Sequence, residues 1–191
     1  MARQKEFDEA VVLDQALELF RARGYKHTSF SDLTQELGVS RQSLYDTYGD
    51  KQTLFQTALQ RYLDRSLDAF GRKLADPAPV RKVLAEMFDG MIGGICGNGC
   101  HGCLMVNSMI ELAPHDPEMR KRALDHAREI EGLLAGRLIL AQRKGEIAKS
   151  KDPVDLARFL YHTILGLAVA SRAQGHDNLR KSVSVALQVL D

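Results

Sequence analysis

The stretch FSDLTQELGVSRQSLYDTYGDKQTLF, residues 30–55, limits the fold most severely, because two short apolar-periodic runs there are divided by Gly38 and closed by Gly49. Ser31 is expected to cap a first short helix that turns Leu33 and Leu37 inward, and Gly38 to end it in a left-handed conformation. Val39 then plugs the turn. Ser40 caps a second short helix whose first turn exposes Arg41, Gln42 and Ser43 while Leu44 faces the core. Gly49 stops that helix and Asp50 caps the next. A pair of short helices around a tight glycine turn, with polar residues opening the second, is helix-turn-helix geometry.

Helical spacing continues on both sides. Residues 6–23 place Phe7, Val11, Leu13, Ala16, Leu17 and Phe20 on one face, and Gly24 follows as terminator. Residues 51–73 form a long amphipathic segment carrying Leu54, Phe55, Ala58, Leu59, Tyr62, Leu63, Leu67 and Phe70, broken at ADPAP. Five more helices are expected: about 79–96, a short one in LMVNSMIEL, about 117–144, one opened by Asp152-Pro153, and a last one with Leu179, Val183, Ala186, Leu187 and Leu190. No run alternates with period two, and prolines number only five. The chain reads as all-α with about nine helices. Residues 1–50 form one unit and 51–191 a second, with 51–73 as connector.

At 191 residues the chain can bury a full core without disulfides. Its 45% hydrophobic and 27% charged residues are those of an ordinary globular protein, no apolar run approaches a membrane span, and the opening MARQKEFDEA lacks a signal-peptide core. A cytoplasmic protein with no membrane partner is expected. The net charge of +1 gives no global pull toward nucleic acid, so such a function must rest on local chemistry.

That chemistry is present at the turn. Arg41 can donate a bidentate pair to guanine, Gln42 can read adenine and Ser43 either base, while Thr28, Ser40, Tyr45, Thr47, Tyr48 and Lys51 supply the cap and phosphate contacts. The same pattern also suits a helical bundle that binds no DNA. The segment Ala16–Phe55 resembles the DNA-binding domain of the TetR family of bacterial repressors. Ala16, Phe20, Gly24, Tyr25, Thr28, Leu33, Gly38, Val39, Ser40, Leu44, Tyr45, Tyr48, Lys51 and Leu54 match in order and without a gap. Two positions depart, since the family usually has Phe at the place of Tyr48 and often His at that of Thr47. The resemblance implies a homodimer joined through its last two helices, a double-stranded DNA operator and a body that binds a small-molecule effector. Small residues Gly166, Ala168, Ala170 and Ser171 fit close helix approach at such an interface, and the last helix's apolar face would lie open if nothing covered it.

For the effector pocket the candidates are Phe88, Met91, Ile92 and Ile95, then Met105 and Met109, His126 and Ile130, and Tyr161, His162 and Leu165. Methionine at helical spacing equally fills cores, and His162 on an apolar helix equally suits a satisfied core histidine.

All three cysteines fall in CGNGCHGC, residues 96–103. Adjacent Cys100 and His101 rarely reach one ion together, so no metal and no cofactor are expected. Cys103 at a helix start, with Cys100 three residues before it, fits an oxidant-sensing thiol pair. Gly102–Val106 also resembles the electrophile-sensing branch of the TetR family. A glycine-permitted turn with small thiols fits as well. A CxxC thiol redox enzyme of the helical peroxidase kind would need Glu at 96 and His at 107, where this chain has Cys96 and Asn107. No catalytic triad or phosphate-binding glycine loop stands out, so an enzyme is not expected.

Overall fold

The computed structural model describes residues 7–97 and 101–191, and among them every regular element is helical. The helices are α1 (Glu9–Arg23), α2 (Phe30–Leu37), α3 (Arg41–Tyr48), α4 (Lys51–Leu74), α5 (Val80–Cys96), α6 (Leu104–Glu111), α7 (Pro117–Arg143), α8 (Pro153–Ala170) and α9 (His176–Ala186), followed by a 3-10 turn, Leu187–Leu190.

Local signals set most boundaries. Asp8, Ser40, Asp50, Asp116 and Asp152 each accept a backbone N–H of the following first turn, and prolines open α7 and α8. Gly38 adopts φ 64°, ψ 22°, the left-handed geometry that lets α2 turn into α3. Two expectations shift by a residue or two. The cap of α2 is Ser29 rather than Ser31: Ser29 Oγ accepts Asp32 N–H at 3.0 Å, and Asp32 Oδ2 accepts Ser29 N–H at 2.7 Å. This reciprocal capping box satisfies two donors where Ser31 would satisfy one. In α1 the inward residue is Val12, and Val11 faces solvent.

Two apolar clusters result. One joins α1–α3 to the first half of α4 around Phe20, Leu33, Leu44, Leu54 and Phe55, with Leu104, Met105, Met119 and Ala123 from α6 and α7. The other lies among α5, α7, α8 and α9, with Leu67, Phe70 and Leu74 from the far half of α4. The α4 helix therefore touches both.

The last helices divide their faces differently from expectation. Leu179, Val183, Leu187 and Leu190 are buried in the second cluster, mainly against α5. The apolar side of α9 is thus covered by its own chain. On α8, Phe159, at helical spacing with the buried Leu160 and Leu167, nevertheless faces outward at 44% exposed, and Val169 is 48% exposed. Phe159, His162, Gly166 and Val169 follow a three-four-three spacing along one exposed helix face, with Val185 of α9 also exposed at 63%.

Candidate nucleic-acid interface and effector cavity

The outer face of α3 is built on an apolar base. Leu44 is fully buried beneath it, and Tyr48 is 7% exposed with its phenol pushed up to about 12 by burial. Above them Arg41, Gln42 and Tyr45 are exposed and Ser43 is half-buried. The Arg41 guanidinium lies 5.6 Å from the Phe30 ring and 5.7 Å from that of Tyr45, and those rings stand 4.5 Å apart. This cation–π seat restrains the exposed Arg41 guanidinium beside the two rings. Gln42 Nε2 donates to Asp46 Oδ1 at 2.7 Å, and Ser40 Oγ donates to Ser43 Oγ at 2.9 Å. Four groups able to address base edges or phosphates thus share one exposed helical edge.

Other expected contacts lie elsewhere. Thr28 is fully buried and donates its hydroxyl to the Gly24 carbonyl at 2.7 Å. It closes the turn after α1, and Tyr48 belongs to the packing under α3, so neither side chain reaches the surface where a phosphate would lie. Thr47 donates to the Ser43 carbonyl at 2.9 Å. Lys51 Nζ donates to the Tyr25 carbonyl at 3.1 Å and sits 4.2 Å from the Tyr25 ring centroid. Its ammonium braces the α1–α2 turn.

The sequence reading missed the groups that fasten this turn to the body. Glu111, the last residue of α6, accepts the N–H of Tyr25 at 2.9 Å and of Lys26 at 2.6 Å. Asn107, one turn earlier, donates to the carbonyls of Arg21 at 3.3 Å and His101 at 3.0 Å. Their signal was a pair of polar residues four apart within the apolar LMVNSMIEL, which places both on one face. That face meets the C-terminal end of α1.

At the start of the same helix, Cys103 is the N-cap residue and is half-buried. The Tyr62 hydroxyl of α4 donates to Cys103 Sγ at 3.2 Å; burial, with Cys103 beside it, pushes that phenol well above its ordinary value and keeps it a donor. Cys96 is buried at the end of α5. Cys100 lies outside the described residues. Gly102, at φ 73°, presses close to α8: a Cβ there would stand 3.3 Å from the Ala168 carbonyl and 3.4 Å from Asn107 Oδ1. Glycine is therefore favoured by the positive φ, and a side chain would also need its neighbours to give by a few tenths of an ångström.

Behind Cys103 is an apolar cavity of about 70 Å³. Of the candidates named from the sequence, Met91, Ile95, Met105, His126, Ile130, Tyr161 and Leu165 line it. Phe88 does not, being wholly buried in the second cluster; Met109 packs against the first cluster, and His162 is on the exposed face of α8. Tyr62, Ser66 and Phe70 of α4 complete the wall; the sequence placed Tyr62 and Phe70 on a packing stripe and gave Ser66 no role. Burial raises Tyr161 to about 12 and lowers His126 below its ordinary value, so both are neutral near pH 7. Neither His126 ring nitrogen has a hydrogen-bond partner among the described residues.

Comparison with known proteins places both halves. Residues 12–58 match the model of bacterial regulatory proteins of the tetR family, and residues 81–187 that of the tetracyclin repressor-like C-terminal domain. The chain is 37% identical to the HTH-type transcriptional regulator YezE of Bacillus subtilis over the whole of both chains. It is 30% identical to the HTH-type transcriptional repressor ComR of Escherichia coli, over 89% of this chain and 82% of ComR. Among solved structures it is similar to the TetR family regulator CifR, a cysteine-substituted form complexed with 26-bp double-strand operator DNA, at 25% identity and TM-score 0.89 over all of both chains. No described helix is long and apolar enough to cross a membrane. The chain belongs to the TetR family of bacterial regulatory proteins, which are transcriptional regulators and not enzymes.

Proposed function

We propose that this regulator is a repressor that binds a palindromic DNA operator as a homodimer and is released when its body takes up an effector. The observation that carries the reading is the exposed edge of α3, where Arg41, Gln42, Ser43 and Tyr45 stand on a fully apolar base. Set into the major groove, Arg41 reads guanine and Gln42 adenine, while Ser40 and Tyr45 address the backbone. That CifR, to which the chain is similar over its whole length, is complexed with double-strand operator DNA supports the DNA-binding part of this reading. Residues 1–50 serve as the reading head, 51–191 as the sensing and dimerising body, and 51–73 as the connector. The exposed Phe159, Gly166 and Val169 of α8, with Val185 of α9, meet their copies across a two-fold axis.

Release follows from differential affinity. An effector that favours a widened cavity moves α4 through Tyr62 and α6 through Cys103, and Glu111 carries the displacement to the turn after α1. A hundredfold loss of operator affinity corresponds to about 2.7 kcal/mol of coupling. Cys103 is also the thiol through which an oxidant would act, since modification there displaces the Tyr62 hydroxyl. Diamide, itself reduced to the hydrazine, would take the thiols of Cys103 and Cys100 to a disulfide and release DNA from the wild type but not from Cys103→Ser, and equal release from both would refute that role.

A mobility-shift comparison tests the reading itself. Arg41→Ala should lose about 1–3 kcal/mol of discrimination at one base pair while non-specific binding persists. An unchanged sequence preference would take Arg41 out of base reading.

A further inference from the structure

The cavity behind Cys103 differs from ordinary core in one respect. His126 projects from α7 with both ring nitrogens buried and neither paired to any described group. Buried polar groups in folded proteins almost always have partners, and here no described side chain or backbone group engages the imidazole's donor or its acceptor, so both can address a ligand in the cavity. No Asp, Glu, Lys or Arg is among the lining residues; the other polar groups are Tyr62, Ser66, Cys103 and Tyr161.

His126 also borders a second depression, a groove between α4 and α7 open to solvent. Its rim carries four carboxylates, Asp64, Glu118, Asp125 and Glu129, against the two cations Lys121 and Arg122. The imidazole therefore stands between a net-negative surface groove and an uncharged apolar interior. Anions are disfavoured at the rim and again inside, where no cation would receive them.

Size narrows the class. At about 70 Å³ the cavity is roughly half the 150 Å³ apolar space known to accept benzene. A single small ring fits once Met91 and Met105 give way, as unbranched methionine side chains readily do. We infer that the effector is a small, neutral, mainly apolar ring compound bearing one hydroxyl or carbonyl, and that His126 reads that polar group. This rests on the body being the effector sensor. His126 is then the specificity-determining residue, and the apolar wall supplies most of the affinity.

Titration calorimetry on DNA-free protein with phenol, toluene and benzoate tests the assignment. Phenol should bind at least tenfold more tightly than toluene, and benzoate should give no heat. His126→Leu should keep toluene binding and erase the preference for phenol, while His126→Gln should recover part of it. Benzoate binding as tightly as phenol, a phenol preference that survives in His126→Leu, or no heat from either neutral probe would overturn the inference. Mobility shift of the ligand-free protein is scored separately: a failure there counts against the repressor reading and leaves the calorimetric result to stand by itself.

Discussion

In the proposed release mechanism Glu111 is the residue that links body and head most directly. Its carboxylate accepts two backbone N–H groups at the turn after α1, 85 and 86 residues away in sequence. Charge-assisted bonds of this kind contribute about 1.5–3 kcal/mol when protected from water, and less at this partly exposed turn. Glu111→Ala should lower thermal stability modestly and weaken the response of operator affinity to effector far more than it weakens effector binding itself. Paired calorimetry and mobility shift measure both, and an undiminished response would remove Glu111 from the coupling. At Gly102 the constraint is steric and conformational. Gly102→Ala should cost about 1–3 kcal/mol, read as a shift of the urea midpoint, because a side chain there meets the Ala168 carbonyl at positive φ. A neutral result would mean that the turn relaxes freely and that the thiols, not the glycine, define CGNGCHGC.

At the scale of the helices, α1 is tied to α4 by Asp14, which accepts hydrogen bonds from Arg61 Nε at 2.8 Å and from a terminal guanidinium nitrogen of Arg65 at 2.6 Å. These bonds hold the Asp14 carboxyl down at about 2, against an ordinary 3.8. A carboxyl depressed in the folded state adds stability above its unfolded value and loses it as pH falls through the folded value. Asp14→Asn should therefore melt below the wild type at pH 7, with the gap closing between about pH 4 and pH 2. The gap itself should be small, since these side chains are solvent-screened. A gap that persists at pH 2 would assign the effect to packing instead. The helices themselves were legible in the sequence because Asp50, Asp116, Asp152, Gly38 and Gly49 act through local backbone chemistry. The cavity was legible only in part. Periodicity says that Phe88 and Met91 both turn inward, but which of them fills core and which borders a void depends on the helices opposite. For the same reason Tyr62 and Phe70 passed as a packing stripe, and Thr28 and Tyr48 as phosphate contacts.

For the whole molecule the decisive feature is how its exposed apolar surface is distributed. Because α5 covers much of α9, the apolar residues that the last two helices leave exposed include Phe159 and Val169 of α8 and Val185 of α9, and the proposed dimer is built on them. Phe159→Glu should convert the dimer to monomer in sedimentation and reduce operator affinity, while leaving the helical content unchanged. A variant that stays dimeric would move the interface elsewhere. The family was readable from residues 16–55 because the turn, its caps and its apolar base all fall within one short stretch. Dimerisation through the last two helices was readable too, but not which residues face outward, because the apolar pattern of α9 does not reveal that Leu179 and Val183 pack mainly on α5. The account as a whole stands on operator recognition by two heads at fixed spacing. Footprinting of the purified protein on DNA upstream of its own and neighbouring genes should protect two inverted half-sites whose centres are one helical turn, about 34–36 Å, or a multiple of it apart. Absence of any protected palindrome, with no retardation even at low salt, would contradict it.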